Sequence, residues 1–270
     1  MPVDHYENFP VASLVLPRRL RRPVELIYAF ARQADDFADE GERPDAERLA
    51  DLEGFRAELG RIESGATPET PLFRELAEII RDHHLPLRLF HDLLDAFAQD
   101  VSKKRYADFG EVMDYCRRSA NPVGRLLLHL FGAATPRSLA LSDGICSSLQ
   151  LINFLQDVAL DYRKGRIYIP QEDLARYRVG EEQIARGDSA GMWRPLMLAQ
   201  VERARKMLQA GAPLGLALPG RIGLEIRMIV LGGERILKKI HASGGDVFRH
   251  RPVLDIRDWA YILWRAALKR

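Results

Sequence analysis

The sequence predicts an all-α fold, built from many helices packed in one domain. Apolar residues recur at three-to-four spacing almost throughout the 270 residues. The only β-like run is Arg166-Ile167-Tyr168-Ile169, and Pro170 ends it. No internal repeat, low-complexity tract or long linker divides the chain, so residues 1–270 are expected to form a single domain.

The elements follow in order. Pro23 suits the first turn of a helix whose buried face is Leu26, Ile27, Phe30 and Ala31. A second helix, over residues 46–63, carries Leu49, Leu52, Phe55, Leu59 and Ile62 on one stripe. Thr67-Pro68-Glu69-Thr70-Pro71 breaks the chain before a helix over 72–83. Pro86 opens the next, through Leu89, Phe90, Leu93, Leu94 and Phe97. Long helices are expected over 109–131 and 137–162. Residues 164–188 are more broken, with Gly165, Pro170, Gly180 and Gly187. Helices over 192–208, 221–242 and 255–268 complete the chain, too many for a simple four-helix bundle.

Composition excludes several functions. Hydrophobic residues make up 47% of the chain, too many for a disordered protein. Forty Lys and Arg against 38 Asp and Glu leave a net charge of +2, which argues against a nucleic-acid partner. Two cysteines, Cys116 and Cys146, make no disulfide framework. No apolar run reaches the roughly 18 residues of a membrane span, and residues 1–8 have no secretory character, so the expected place is the cytoplasm. His83, His84 and His91 lack zinc-ligand spacing and are expected to be solvated.

Two stretches carry chemistry. In the helix from Pro23, Arg32, Asp35, Asp36 and Asp39 share one face, with Tyr28 a turn earlier. In the helix over 137–162, Gln150, Asn153, Asp157 and Asp161 form a second polar stripe. Acidic residues on a helix are ordinarily solvated surface, but both stripes are flanked by apolar residues nearly all round. Two unpaired carboxylates about 6 Å apart repel by roughly 3 kcal/mol at an effective dielectric near 20. Such stripes call for a partner that rewards them, and Mg²⁺ bridging carboxylates to a phosphate is the natural one. Arg32 with the amides of Gln150 and Asn153 would complete a phosphate cradle.

These residues resemble the squalene/phytoene synthase family over nearly the whole chain. The resemblance runs through Asn8-Phe9-Pro10, residues 16–21, residues 28–39, Tyr115-Cys116, Val123-Gly124, residues 150–161, residues 165–170 and residues 246–251. It implies an all-α isoprenoid-synthase bundle with both Asp-rich helices lining one central cavity. It also implies that Asp35, Asp36, Asp39, Asp157 and Asp161 hold Mg²⁺ and diphosphate. Arg32, Gln150, Asn153 and Arg251 would contact diphosphate, Tyr28 would face the cavity, and Arg166 with Tyr168 would sit on a mobile flap.

Departures from the family pattern occur at Tyr6-Glu7-Asn8-Phe9, at residues 117–124 and at Gly233-Glu234, which are expected on one cavity wall. His5-Tyr6-Glu7-Asn8-Phe9-Pro10 with Ser119-Ala120-Asn121-Pro122-Val123-Gly124-Arg125 is similar to the hopanoid-pathway branch of the family. That branch takes presqualene diphosphate and adds water without reductant, and no nicotinamide cofactor is expected. Phe30, Phe37, Phe131 and Phe154 are candidate cavity aromatics, and Asn121, Arg118 and Tyr6 are candidates for placing the water. Asn121-Pro122 also fits a helix kink, with Asn121 bonding the freed carbonyl.

Alternatives are a presqualene diphosphate or phytoene-type synthase condensing two prenyl diphosphates, and a non-catalytic helical partner protein. The last predicts eroded carboxylates, whereas all five aspartates are present. Lys103-Lys104-Arg105 and Lys269-Arg270 are candidate contacts to anionic lipid, giving transient contact with a membrane surface, and neighbouring pathway enzymes are further candidate partners.

Overall fold

The computed structural model describes residues 16–41 and 43–268; Tyr6 and the terminal Lys269-Arg270 pair therefore lie outside the described residues. The described residues fold into α1 (Arg18–Asp39), α2 (Asp45–Glu63), α3 (Pro71–His83), α4 (Leu87–Ser102), α5 (Phe109–Ser119), α6 (Asn121–Leu130) and α7 (Pro136–Gln156). There follow α8 (Val158–Arg163), α9 (Gln171–Arg176), α10 (Glu181–Ala185), α11 (Trp193–Gly211), α12 (Leu214–Ala217), α13 (Gly220–Ala242) and α14 (Ile256–Leu268). The fold is all-α, as expected. The β-like run makes only one parallel bridge, between Arg105 and Ile167.

The first helix starts earlier than Pro23 suggests. Leu20, Val24 and Ile27 continue one buried stripe, so α1 begins at Arg18 and carries Pro23 inside it. Both long predicted helices are broken. The first stops at Ala120 (φ −114°, ψ −46°), because Pro122 has no N–H for the continuing ladder. Asn121 does not bond the freed carbonyl as expected; its Oδ1 accepts from Ser147 Oγ at 2.8 Å and ties α6 to α7. The second breaks at Asp157 (φ −105°, ψ 12°), which ends α7 and starts α8. The break turns Asp157 and Asp161 out of the straight stripe that an unbroken helix would give.

Two apolar cores organise the helices. One gathers α1 to α4 around Phe30, Phe55, Phe73 and Phe90, with Phe30 edge-on to Phe90 at 5.2 Å. The other gathers α7, α11 and α13 around Trp193, Leu196, Val201, Leu208 and Leu237. Helix α6 packs against α1, α4 and α7 and so bridges the two. Gly124 permits this: a Cβ there would stand 2.3 Å from Ser142 Oγ and 2.5 Å from Cys146 Sγ. Between the cores, α1, α4, α6 and α13 line a half-open cavity of about 370 Å³.

Candidate active site

Helical periodicity brings the first stripe to the cavity. Val24, Ile27, Tyr28, Ala31, Arg32 and Asp35 line it from α1, so the wall passes from apolar to charged towards the C-terminal end of that helix. Arg32 pairs with Asp35 at 3.2 Å, Asp36 at 2.6 Å and Glu40 at 2.8 Å. Asp39, one turn on, is held by Arg166 and by Lys164, the latter at 2.9 Å.

Those last two contacts join the stripes, because Lys164 and Arg166 directly follow α8. Burial pushes Asp161 up to about 8, helped by the negative charge of Asp157 and opposed by Arg166 and Lys164; Asp39 adds to the rise. Burial likewise pushes Asp35 up to about 7, with Asp39 the next contributor. Burial acts on Asp39 too, but Arg166 and Lys164 outweigh it and hold that carboxyl below its usual range. The field of Asp39 thus reaches acids on both stripes. Asp157 is gripped by Arg251, whose Nη2 lies 3.0 Å from Oδ2.

The chemistry of these donors suits a hard divalent cation: several carboxylates share a partly desolvated cleft, and burial, helped by their mutual repulsion, raises two of them well above the usual carboxylate range. Among the described residues, no three His, Cys, Asp or Glu side chains already converge as a metal cluster. Arginines and a lysine hold the acids instead, so Asp39 and Asp157 must exchange partners to take a cation.

Several expected placements need correction. Asp157, Asp161, Gln150 and Asn153 do not line the apolar cavity; only the α1 stripe does. Asn153 is exposed and Gln150 half-buried on α7. Of the four candidate aromatics, Phe131 alone lines the cavity. Phe30 and Phe37 pack on Phe55, and Phe154 stacks on Tyr168 with ring centres 3.8 Å apart. Arg166 and Tyr168, expected on a mobile flap, are buried. Arg118 is spent on Gln99 and Asp114, each at 2.7 Å, and Asn121 on Ser147, so neither faces the cavity. Gly233 lies where a Cβ would come 2.9 Å from Leu208, while Glu234 accepts from Gln209 outside the cavity. Among the described residues, the departures from the family pattern therefore do not share one wall.

Asp100 was not anticipated. It is buried on α4 and accepts hydrogen bonds from the hydroxyls of Tyr115 and Tyr168, the latter at 3.1 Å. Burial pushes it up to about 6 against those bonds. The signal was available: Leu93, Ala96, Phe97 and Asp100 form one helical stripe, so an acid falls on an apolar face. Glu225, on α13, was also missed; it is the one acidic residue that α13 sends to the cavity wall.

Fold and site together define an isoprenoid synthase of the all-α class. A model of the squalene/phytoene synthase family matches residues 3–258, and the chain belongs to that family. It is 38% identical to a hydroxysqualene synthase of Rhodopseudomonas palustris over 87% of this chain and 79% of that protein. Against a hydroxysqualene synthase of Zymomonas mobilis the identity is 35%, over 83% of this chain and 75% of the other. The crystal structure of squalene synthase HpnC from Alicyclobacillus acidocaldarius superposes with a TM-score of 0.82 at 37% identity, covering 89% of this chain and 90% of that one.

Proposed function

We propose that this chain is a hydroxysqualene synthase, which ionises presqualene diphosphate with the help of Mg²⁺ and captures the rearranged cation with water. The observation that carries this reading is the junction at Asp35 and Arg32, where an apolar cavity meets a cleft of crowded acids and arginines. A substrate with a hydrocarbon body and an anionic head fits that junction, and similarity to two hydroxysqualene synthases supports presqualene diphosphate as that substrate.

In this reading Asp35, Asp39, Asp157 and Asp161 hold the cation, and Asp36 keeps Arg32 in place. Bound Mg²⁺ supplies Lewis-acid neutralisation of the charge that develops on the departing diphosphate. Arg166 and Arg251, released from their carboxylates, and Arg32, still held by Asp36, donate to diphosphate oxygens, with Gln150 and Asn153 adding amide contacts. Tyr28 stands at the cavity edge, and Ile27, Phe97, Leu127 and Phe131 present the cation with walls that offer no nucleophile. Incubation of the protein and Mg²⁺ with presqualene diphosphate should give a C30 alcohol in the lipid extract. Turnover of farnesyl diphosphate to presqualene diphosphate instead would overturn the reading.

The reading includes transient contact with an anionic lipid surface, made by α14. No helix of the described residues is long and apolar enough to cross a membrane. The outer face of α14 shows Ile256 (81% exposed), Trp264 (58%), Leu268 (59%) and Leu263 (52%). Asp258 points inward to Arg235 and Lys239, so Arg257 is the charge left on the outer face. Apolar and aromatic residues beside arginine and free of carboxylates suit a lipid interface. The face is also too small for a stable dimer: 13 residues span about 20 Å, and a strip about 10 Å wide along them covers ~200 Å², far short of the roughly 800 Å² per partner that one needs. The basic run expected to make this contact is engaged elsewhere, Lys103 with Glu111, Lys104 with the Asp100 carbonyl and Arg105 with Glu181.

A further inference from the structure

From the cavity wall we infer that Glu225 positions the water captured by the carbocation and accepts its proton. The inference deepens, and rests on, the reading of the chain as a hydroxysqualene synthase. Its ground is that α13 sets Glu225 beside Ile226 and Ile229 in a cavity whose described lining is otherwise apolar except for Tyr28, Arg32 and Asp35 on α1.

The orientation of Glu225 is dictated by its surroundings. A Cβ at Gly223 would stand 2.1 Å from the Leu218 carbonyl oxygen, so the first turn of α13 lies directly against the chain leaving α12. Arg227 donates to the Gly215 carbonyl at 2.6 Å and to the Ala266 carbonyl at 2.9 Å, which fixes the rotation of the helix. Leu224, Met228 and Leu231 are taken up by the packing of α14. The stripe that remains for the cavity is Glu225, Ile226 and Ile229. About 25 Å of helix separates Glu225 from the C-terminal end of α13, beyond which Arg251 holds Asp157. Glu225 is therefore not part of the diphosphate cradle at that end.

The chemistry requires such a group. Apolar walls protect a carbocation by offering it no nucleophile, and a product alcohol then needs one water admitted at a defined place. That water must also lose a proton. The water oxygen forms the new C–O bond with its lone pair, the cation gains those electrons, and the proton passes to a Glu225 carboxylate oxygen and from there to solvent. The cavity has room for roughly a dozen waters when empty, so a hydrocarbon filling it leaves water only where a polar group retains it. The negative charge also stabilises the cation at the point of attack.

Product analysis tests this. Wild type, Glu225→Gln, Glu225→Ala and the exposed α13 variant Lys238→Ala, outside the cavity, are incubated with Mg²⁺ and presqualene diphosphate, after circular dichroism has checked each fold. Alcohol and hydrocarbon products are then quantified per diphosphate released. The share of alcohol should fall roughly 100-fold in Glu225→Ala, the lower end of what a positioned base contributes, with alkenes formed by proton loss taking its place. Glu225→Gln keeps the size of the side chain and should also lose alcohol, while Lys238→Ala keeps the wild-type share. An unchanged alcohol share in both Glu225 variants would overturn the inference. So would loss of all turnover in a folded Glu225→Gln, which would assign the residue to ionisation. Wild type that makes no alcohol at all would instead sink the functional reading beneath it.

Discussion

A carboxylate crowded by protein and by a second carboxylate resists ionisation, and Asp161 is in that position beside Asp157, pushed up to about 8. An unfolded chain releases this proton near pH 4. The folded state therefore holds it more tightly, and the stability so gained is fully present below about pH 4 and is lost as pH rises towards 8. Asp161→Asn should remove that dependence. Without metal at pH 8.5 the variant should melt about 2–4 °C above wild type, a gain of ~1 kcal/mol after allowance for solvent screening. Its turnover should drop at least about 100-fold. Melting curves at pH 5 and 8.5 check the first part, and a variant that melts below wild type at pH 8.5 would refute it. The acids on both stripes were legible because helical periodicity alone puts residues at offsets of three, four and seven on one face. Asp100 could have been read from the apolar stripe it falls on; Glu225 could not, since a single acid on an amphipathic helix declares itself only when the helix packed over it is known. Asn121 and Arg118 were misread for the same reason: Ser147 and Gln99, their partners, lie 26 and 19 residues away.

At the scale of elements, apolar spacing located nearly every long helix, and errors gathered where the backbone departs from the helix without a break in hydrophobicity. Ala120 and Asp157 sit inside apolar runs, so periodicity carried both helices through them. Pro23 errs the other way, since a proline tolerated inside a buried helix reads as a start. The end of the chain shows what periodicity does reveal once burial is known. Ile262, Ala266 and Asp258 face inward on α14, and the apolar residues left over face solvent. Trp264→Glu combined with Leu263→Glu should therefore cut binding to vesicles containing anionic phosphatidylglycerol by at least about tenfold, since charge at a lipid interface opposes burial of the face. Melting temperature and turnover of detergent-dispersed substrate should be preserved, because neither residue touches the core. Vesicle co-sedimentation checks this, and undiminished binding would remove α14 as the contact.

For the whole molecule, the arrangement of ion pairs makes the two cores depend on each other. Asp39 ends a helix of the first core, whereas Arg166 belongs with the second, and their pair with Lys164 spans the boundary. Arg251, beyond α13, closes the opposite side on Asp157. A divalent cation alone would draw the aspartates away and leave arginines without partners; diphosphate alone would draw the arginines away and leave carboxylates repelling one another. Only both together satisfy both sets, so their binding should be strongly cooperative, each raising the affinity of the other by the same factor. Mg²⁺ with inorganic diphosphate, at about 100 times the dissociation constant, should stabilise the protein by roughly 2.7 kcal/mol, or about 5–10 °C in melting temperature. Either component alone at the same concentration should give a shift smaller than half of that. Arg251→Met, which removes one arginine from the exchange, should weaken the cooperativity by leaving Asp157 free to meet the cation without diphosphate. Thermal melts across a grid of the two ligands decide the matter: if the separate shifts simply add up to the joint one, the charges are not exchanging partners and the cradle is not the unit that joins the two cores.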